Sequence, residues 1–489
     1  MSYQVLAPQP WARREFGSVQ LKDKRLNKRV VQVASAMAAD PSASIPKQNK
    51  KSAQRKGAYR LFDHERACLQ SLCNPHWQQT RLVCADCPVG STSSPQVVLL
   101  IQDTTWLDYS AHPQTQGLGW FGWDKSKDKT IGNGLFLHSV LAVEPHGQGN
   151  ARVIGLAWAT LYKRNGEPLK GDQSKRSRRR KAADRESARW IEAVQQVGKS
   201  PPLSRWIHVG DRESDIYDLY EQAQSHNVGF VIRIKQDRNA TAGHDTPATC
   251  NSADRKGSSI KDLCRQMPTL GNTELWISPK KGKAGRWASL SISAAAVTIW
   301  SPQLNGTGRA LRCWAVRAWE ANPPEGAEPI EWMLLSSEAV ENQDDALRIV
   351  DYYGCRWLIE EYHQCLKSGC KVEQRQLEDV ERLEPLIGML TVVAVRLLQL
   401  KNDARLTPDK PAVQCVPPQL VQTLAKLIKD KKPERMTVRR FTHEVAKRGG
   451  FMARKSDGEP GWRTLWQGWH ELSLIHAGYE LAQKAMRCG

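Results

Sequence analysis

The chain has 489 residues, 71 basic and 51 acidic, for a formal charge of +20 with the histidines neutral. Its 40% hydrophobic and 25% charged content excludes wholesale disorder, and the length suggests about three domains. Twelve cysteines are too sparse for a secreted disulfide scaffold, and the longest apolar run, Leu386–Leu400, is broken by Arg396 and falls short of the roughly 18 residues that cross a bilayer.

In chain order, Met1 to Phe16 shows no apolar leader core, so no secretion signal is expected. Residues 11–62 read as a small helical module. Leu21, Val30, Val33, Ala34 and Met37 fall at roughly helical spacing, Pro41–Pro46 reads as a loop, and Ala53–Phe62 reads as helix. Val97–Ile101, Leu135–Val143 and Val153–Thr160 read as buried strands, with short breaks that suit an antiparallel meander. Ala182–Val197 then predicts a helix, Trp206–Val209 a strand, Ser214–Ala223 a helix and Gly229–Ile234 a strand. That order fits an α/β core with a mixed sheet. From about 240 to 340 the segments Glu274–Ile277, Ala288–Trp300 and Leu311–Ala318 predict a mainly β insertion. Asp345–Leu366 reads as one helix, weakest at Gly354, and Leu377–Lys401 as a second. The tail is helical and carries Trp462, Trp466 and Trp469; no internal repeat is visible.

The surplus of positive charge predicts a polyanionic partner, with nucleic acid first. No basic amphipathic helix lies beside an apolar anchor, which argues against a membrane surface. Basic runs recur along the whole chain: Lys22–Arg29, Lys47–Arg60, Lys175–Lys181, Lys280–Arg286 and Lys429–Arg440. One run is commonly a solvated loop; five suggest a track for a duplex.

Three acidic residues stand at strand or helix positions that suit chemistry. Asp103 follows the strand Val97–Ile101, Asp211 ends the strand Trp206–Val209, and Glu360 lies on the helix after the insertion. Open α/β sheets place their sites at strand ends. Three carboxylates gathered there suit two Mg²⁺ ions, which prefer oxygen ligands and clamp both sides of an in-line phosphoryl displacement. Tyr353, Arg356, Glu360 and Lys367 are spaced so that one continuous helix would hold them within about 60° of one face. Such a face would set a carboxylate between groups that grip phosphate.

The segments Asp211-Arg-Glu-Ser-Asp215, Tyr353-Gly-Cys-Arg356-Trp-Leu-Ile-Glu360-Glu361 with Lys367, and Ile101-Gln-Asp103-Thr-Thr105 resemble the signatures of bacterial DDE transposases. The resemblance is to the cut-and-paste insertion-sequence group with a Y-R-E-K motif. Val393–Leu400 and Gly449–Met452 are similar to that group as well.

The resemblance implies an RNase H-like catalytic core, a mixed sheet with flanking helices, carrying the β-rich insertion. It divides the chain into a helical end-binding domain (1–70), a catalytic domain (71–372) and a helical dimerisation domain (373–489). It implies Asp103, Asp211 and Glu360 as ligands of two Mg²⁺ ions, with Mn²⁺ as a substitute. It implies strand nicking, hairpin formation, hairpin opening and joining to target DNA. Trp332 matches the tryptophan on which a flipped base stacks. Tyr353, Arg356 and Lys367, joined by Arg233, would hold the adjacent phosphate. Arg25, Arg29 and Arg60 fall where the end-binding module carries arginines. Double-stranded DNA, a homodimer in a paired-end complex and a bacterial cytoplasmic location follow, with no membrane.

Some features stand outside the resemblance. The run Lys175–Lys181 lies where a more acidic loop is expected. Cys84 and Cys87 have zinc-ligand spacing, but Cys68 and Cys73 are a loose second pair, so ordinary reduced thiols are the favoured reading over a zinc site. His363, one turn beyond Glu360, faces either the site or the surface. The residues also leave open an inactive or repurposed copy that binds end-like DNA, and a related nuclease without strand transfer.

Overall fold

The computed structural model describes residues 8–85, 95–124, 129–164, 186–245, 249–251, 257–277, 285–301, 307–454 and 457–488. The chain opens with helices Pro8–Phe16, Lys24–Ala39, Ile45–Gln48, Ser52–Phe62 and Leu69–Ala85. The second begins three residues later than the apolar spacing suggests, because Asp23 caps it by accepting the Arg25 backbone N–H. Leu21 still reaches the core, and Val30, Val33, Ala34 and Met37 are buried as expected.

Among the described residues thirteen strands follow: β1 (Gln96–Asp108), β2 (Gly119–Asp124), β3 (Lys129–Gly147), β4 (Asn150–Tyr162), β5 (Ser204–Gly210), β6 (Gly229–Arg233), β7 (Asn239–Ala242), β8 (Thr249–Asn251), β9 (Ser258–Ser259), β10 (Thr269–Ile277), β11 (Arg286–Trp300), β12 (Thr307–Trp319) and β13 (Glu331–Ser336). The central order is β2-β3-β1-β5-β6-β13-β12-β11-β7-β9. β1, β5 and β6 are parallel, and β1, β3 and β4 form the expected antiparallel meander. The inserted region is not a separate β unit. It leaves after β6 and returns through β13, which pairs antiparallel with β6, so the insertion widens the core sheet.

Helix Ala188–Val197 leads into β5, and helix Tyr217–Ser225 connects the parallel strands β5 and β6. The second starts later than expected because Asp211 first caps a short 3₁₀ turn, Arg212–Ser214. After β13 the chain forms helices Gln343–Gly354 and Trp357–Gln364, a π turn at Cys365–Gly369, and helix Val380–Leu406. That last helix is long and apolar enough to cross a membrane, but 89% of its apolar window is buried inside the protein. It packs against β4 and the Leu69–Ala85 helix. Gly388 permits the close approach, since a Cβ there would stand 3.0 Å from Leu69 Cα. The chain ends in helices Ala412–Cys415, Pro418–Leu427, Val438–Arg448 and Trp462–Cys488.

The N-terminal helices are tied to the rest by buried polar bonds. The Arg375 guanidinium donates to the carbonyls of Pro41, Ala43 and Cys370, and Arg396 donates to Ala38 O at 2.9 Å. Among those helices themselves, His76 Nδ1 on Leu69–Ala85 bonds Glu15 on Pro8–Phe16 at 2.6 Å. The run Lys175–Lys181, Lys280, Lys281, Lys283 and Cys87 lie outside the described residues. Cys73 donates its S–H to Gly388 O at 3.0 Å, and Cys84 is buried against the core. Among the described residues, no three His, Cys, Asp or Glu side chains gather as metal ligands.

Candidate active site

Asp103 lies within β1, not beyond its end, because the strand runs on to Asp108. The parallel register pairs Ile101 with Val209. Asp103 and Asp211 therefore each stand two residues past that pair, on neighbouring chains whose spacing in a sheet is about 4.8 Å. Asp103 accepts the Thr104 N–H at 2.8 Å, and Asp211 accepts the Glu213 N–H at 2.8 Å.

Glu360 approaches from the helix Trp357–Gln364, but with Arg356 between it and Asp103 the three carboxylates do not converge as metal ligands in this structure. Arg356 stands one turn before Glu360. The Arg356 guanidinium is bonded to Glu360 and lies 3.8 Å from Asp103 Oδ2. One cation thus stands between two of the three carboxylates. Burial, then the Asp211 charge, pushes the Asp103 carboxyl up to about 7; Arg356 and the Thr104 N–H pull the other way, and Glu360 adds to the rise. Glu213, beside Asp211, is also raised, by burial first and then by Asp211. Burial opposes the charge on Arg356, but Glu360, Tyr353 and Asp103 outweigh it and raise its pKa.

The expected single helix is two helices with a break at Cys355–Arg356, so the four-residue face is not continuous. Tyr353 is buried and packs edge-on against Trp332, ring centroids 5.0 Å apart. Trp332 lies on β13 opposite Ala318. Arg233, at the end of β6, donates to Glu331 O at 2.8 Å on the same strand as Trp332. Lys367 sits in the π turn, whose wider winding carries it off the Arg356–Glu360 line. It pairs with Glu373 at 3.3 Å and lies 5.4 Å over the Trp106 ring. His363 is buried, not surface-facing, and burial followed by the Lys367 and Arg356 charges lowers its pKa to about 3.

Arg25, Arg29 and Arg60 lie on the N-terminal helices. Arg25 and Arg60 are exposed, and Arg29 packs over Gly57. No described hydrogen bond or ion pair joins them to the carboxylates.

Sequence reasoning missed what lies behind Asp103. Gln102 and Thr104 flank it on β1 and therefore face the other way. Gln102 donates from Nε2 to His208 Nδ1 at 2.6 Å and accepts from His138 Nε2 at 3.2 Å. Thr104 donates to His138 Nδ1 at 2.7 Å. Burial lowers both histidines to about 3, so they remain neutral links. The unbroken polar run Gln102–Thr105, inside an otherwise largely apolar strand, was the available signal.

A mixed sheet with acidic side chains where its parallel strands end, and flanking helices, defines an RNase H-like enzyme of phosphoryl transfer. Residues 8–67 match the family model for transposase DNA-binding, 169–396 that for the transposase DDE domain, and 392–489 that for the Tn5 transposase dimerisation domain. The DDE match includes Asp211 and Glu360; Asp103 precedes it. The chain belongs to the bacterial DDE transposases, metal-dependent nucleases and strand transferases of DNA. DNA binding and homodimer formation come with the first and last matches.

Proposed function

We propose that Asp103, Asp211 and Glu360 hold two Mg²⁺ ions, with Mn²⁺ as a substitute, and excise the element before joining it to a target. The supporting observation is geometric: Asp103 and Asp211 stand at matched positions past the Ile101–Val209 pair, and one guanidinium, Arg356, is bonded to Glu360 and lies 3.8 Å from Asp103. All the ligating atoms are carboxylate oxygens, the donor type that hard divalent cations prefer. Their crowding already draws in one cation, Arg356. When bound, the ions supply Lewis-acid polarisation of phosphoryl oxygens and a stronger attacking oxygen.

The chain's own groups orient the DNA. Arg356 turns from the carboxylates to the phosphate beside the flipped base, aided by Tyr353, Lys367 and Arg233. Water attacks first and frees a 3′-hydroxyl. That hydroxyl attacks the opposite strand to form a hairpin, a second water opens it, and the 3′-hydroxyl finally attacks target DNA. A hairpin must unstack a base, and Trp332 stacks it. Arg25, Arg29 and Arg60 contact the element end. Residues 1–70 bind ends, 71–372 cut, and 373–489 pair two copies across two ends. The location is the bacterial cytoplasm.

The test is cleavage of a supercoiled plasmid whose cargo is flanked by candidate ends, with Mg²⁺, by wild type and Glu360→Ala. Release of hairpin-ended cargo by wild type alone is expected. Specific binding without cutting by either protein would indicate a repurposed DNA-binding copy. Trp332→Ala should slow hairpin formation more than the first nick; equal slowing would remove that role.

A further inference from the structure

Trp106 lies three residues beyond Asp103 on β1, and its side chain is 58% exposed. Its neighbours on the strand differ: Thr105 is half-buried and Leu107 fully buried. Water is a poor environment for an indole, and the packing next to it shows that the strand is otherwise well covered. Lys367 stands over the ring at 5.4 Å. Lys367 is put there by the π turn Cys365–Gly369, closed by the Cys370 N–H donating to Cys365 O at 2.9 Å. Glu373 steadies the pair from below. It takes the Lys367 ammonium at 3.3 Å and the Asp108 N–H at 3.0 Å, linking the turn to the end of β1. An aromatic face and an ammonium are thus fixed together, one strand segment away from a catalytic carboxylate. Flat aromatic faces stack bases of any sequence, and a neighbouring cation takes the backbone.

We propose that Trp106, beside Lys367, forms a second nucleotide site: the indole stacks an unpaired base of the bound DNA next to the phosphate that the Lys367 ammonium holds. The proposal rests on the transposase reading and adds a contact separate from Trp332. Three residues of extended strand span about 10 Å, and strand alternation turns Trp106 to the face of β1 opposite Asp103. The stacked base therefore lies outside the carboxylate site itself. The site acts on whichever base is unpaired there and carries no sequence preference of its own.

The test uses a forked duplex carrying a candidate element end, with 2-aminopurine placed in turn at each unpaired position. It is read without metal, so nothing is cut. Stacking on an indole quenches the probe. Wild type should quench one position near the fork, and Trp106→Ala should restore its fluorescence while Trp332→Ala leaves it quenched. Trp106→Ala should also weaken binding of the unpaired strand by roughly 5- to 150-fold. Trp106→Phe should retain most of the quench, and Lys367→Ala should lose part of the affinity with the quench retained. The exposed position makes misfolding of these variants easy to exclude by their melting temperatures. Quenching that is the same in wild type and Trp106→Ala at every position overturns the proposal. So does loss of the dimer in Trp106→Ala without any change in quenching, which assigns the indole to the second copy. Failure of wild type to cut with Mg²⁺, with the Trp106-dependent quench intact, would count against the catalytic reading and leave this site standing.

Discussion

The two faces of β1 hold polar groups in opposite ways. On one face Asp103 is crowded by Asp211 and Glu360, and Arg356 answers their charge. On the other, Gln102 and Thr104 bond neutral histidines in a chain that ends at a buried His208 Nε2 without a described partner. The first face is electrostatically unsettled; the second is held by neutral hydrogen bonds. Charges that can change partner sit on a backbone that neutral bonds keep still. A guanidinium among carboxylates can be exchanged for another cation without moving the strand, because the strand is fixed from behind.

The largest expected effect breaks the charged face. Asp103→Asn should lower the rate of the first nick by about 10³-fold or more, because several kcal/mol of charge stabilisation depends on the carboxylate. DNA retention should be close to wild type. A rate within tenfold of wild type in a single-turnover nicking assay would place the chemistry elsewhere.

Next comes the neutral face. Gln102→Leu leaves the His138 Nε2–H and the His208 Nδ1 acceptor without partners. Stability should fall by about 2–4 kcal/mol in urea unfolding, since each buried orphan costs about 1–3 kcal/mol. If the chain positions Asp103, nicking should also fall by roughly 10²-fold with binding retained. Lost stability with a wild-type rate at low temperature would make the chain a matter of folding alone.

A smaller effect tests the exchange of cations. Arg356→Met should raise Mn²⁺ affinity about tenfold in the absence of DNA, because one positive charge no longer competes for the carboxylates. Electron paramagnetic resonance of free Mn²⁺ measures this. Unchanged affinity would mean that the guanidinium does not occupy the cation's place.

The sequence showed the charged face more clearly than the neutral one. Asp103 and Asp211 stood out because apolar strands lead into them, and Glu360 because of its neighbours at helical spacing. The local turn at Cys355–Arg356 did not, since Gly354 marks a weak point without saying which way the chain turns. Nor did the π turn that moves Lys367 toward Trp106, because an i→i+5 bond has no spacing signal in a single sequence. The β insertion was legible as β but not as part of the core sheet. Its pairing through β13 to β6 is a long-range contact, and strand patterning carries no partner identity. Gln102, His138 and His208 come from three strands, so only the register of those strands could reveal their chain of bonds.

The smallest effect is a pH dependence that separates the two faces. His138 and His208 are lowered to about 3 by burial, so the folded protein keeps them neutral. Once unfolded, each takes a proton below its ordinary value of 6.5. The unfolded state therefore binds more protons in the window from about 6.5 down to about 3, and stability falls as the pH falls through it. Each histidine should cost about 1.4 kcal/mol per pH unit there. Urea unfolding of the metal-free protein at successive pH values measures the slope. His208→Gln should reduce it by about one histidine's share, because a glutamine can still accept from Gln102 and takes no proton. Above pH 6.5 the two proteins should run parallel. An unchanged slope in His208→Gln would mean that His208 is already charged in the fold. The neutral chain behind Asp103 would then itself carry a charge, and the contrast between the two faces of β1 would fail.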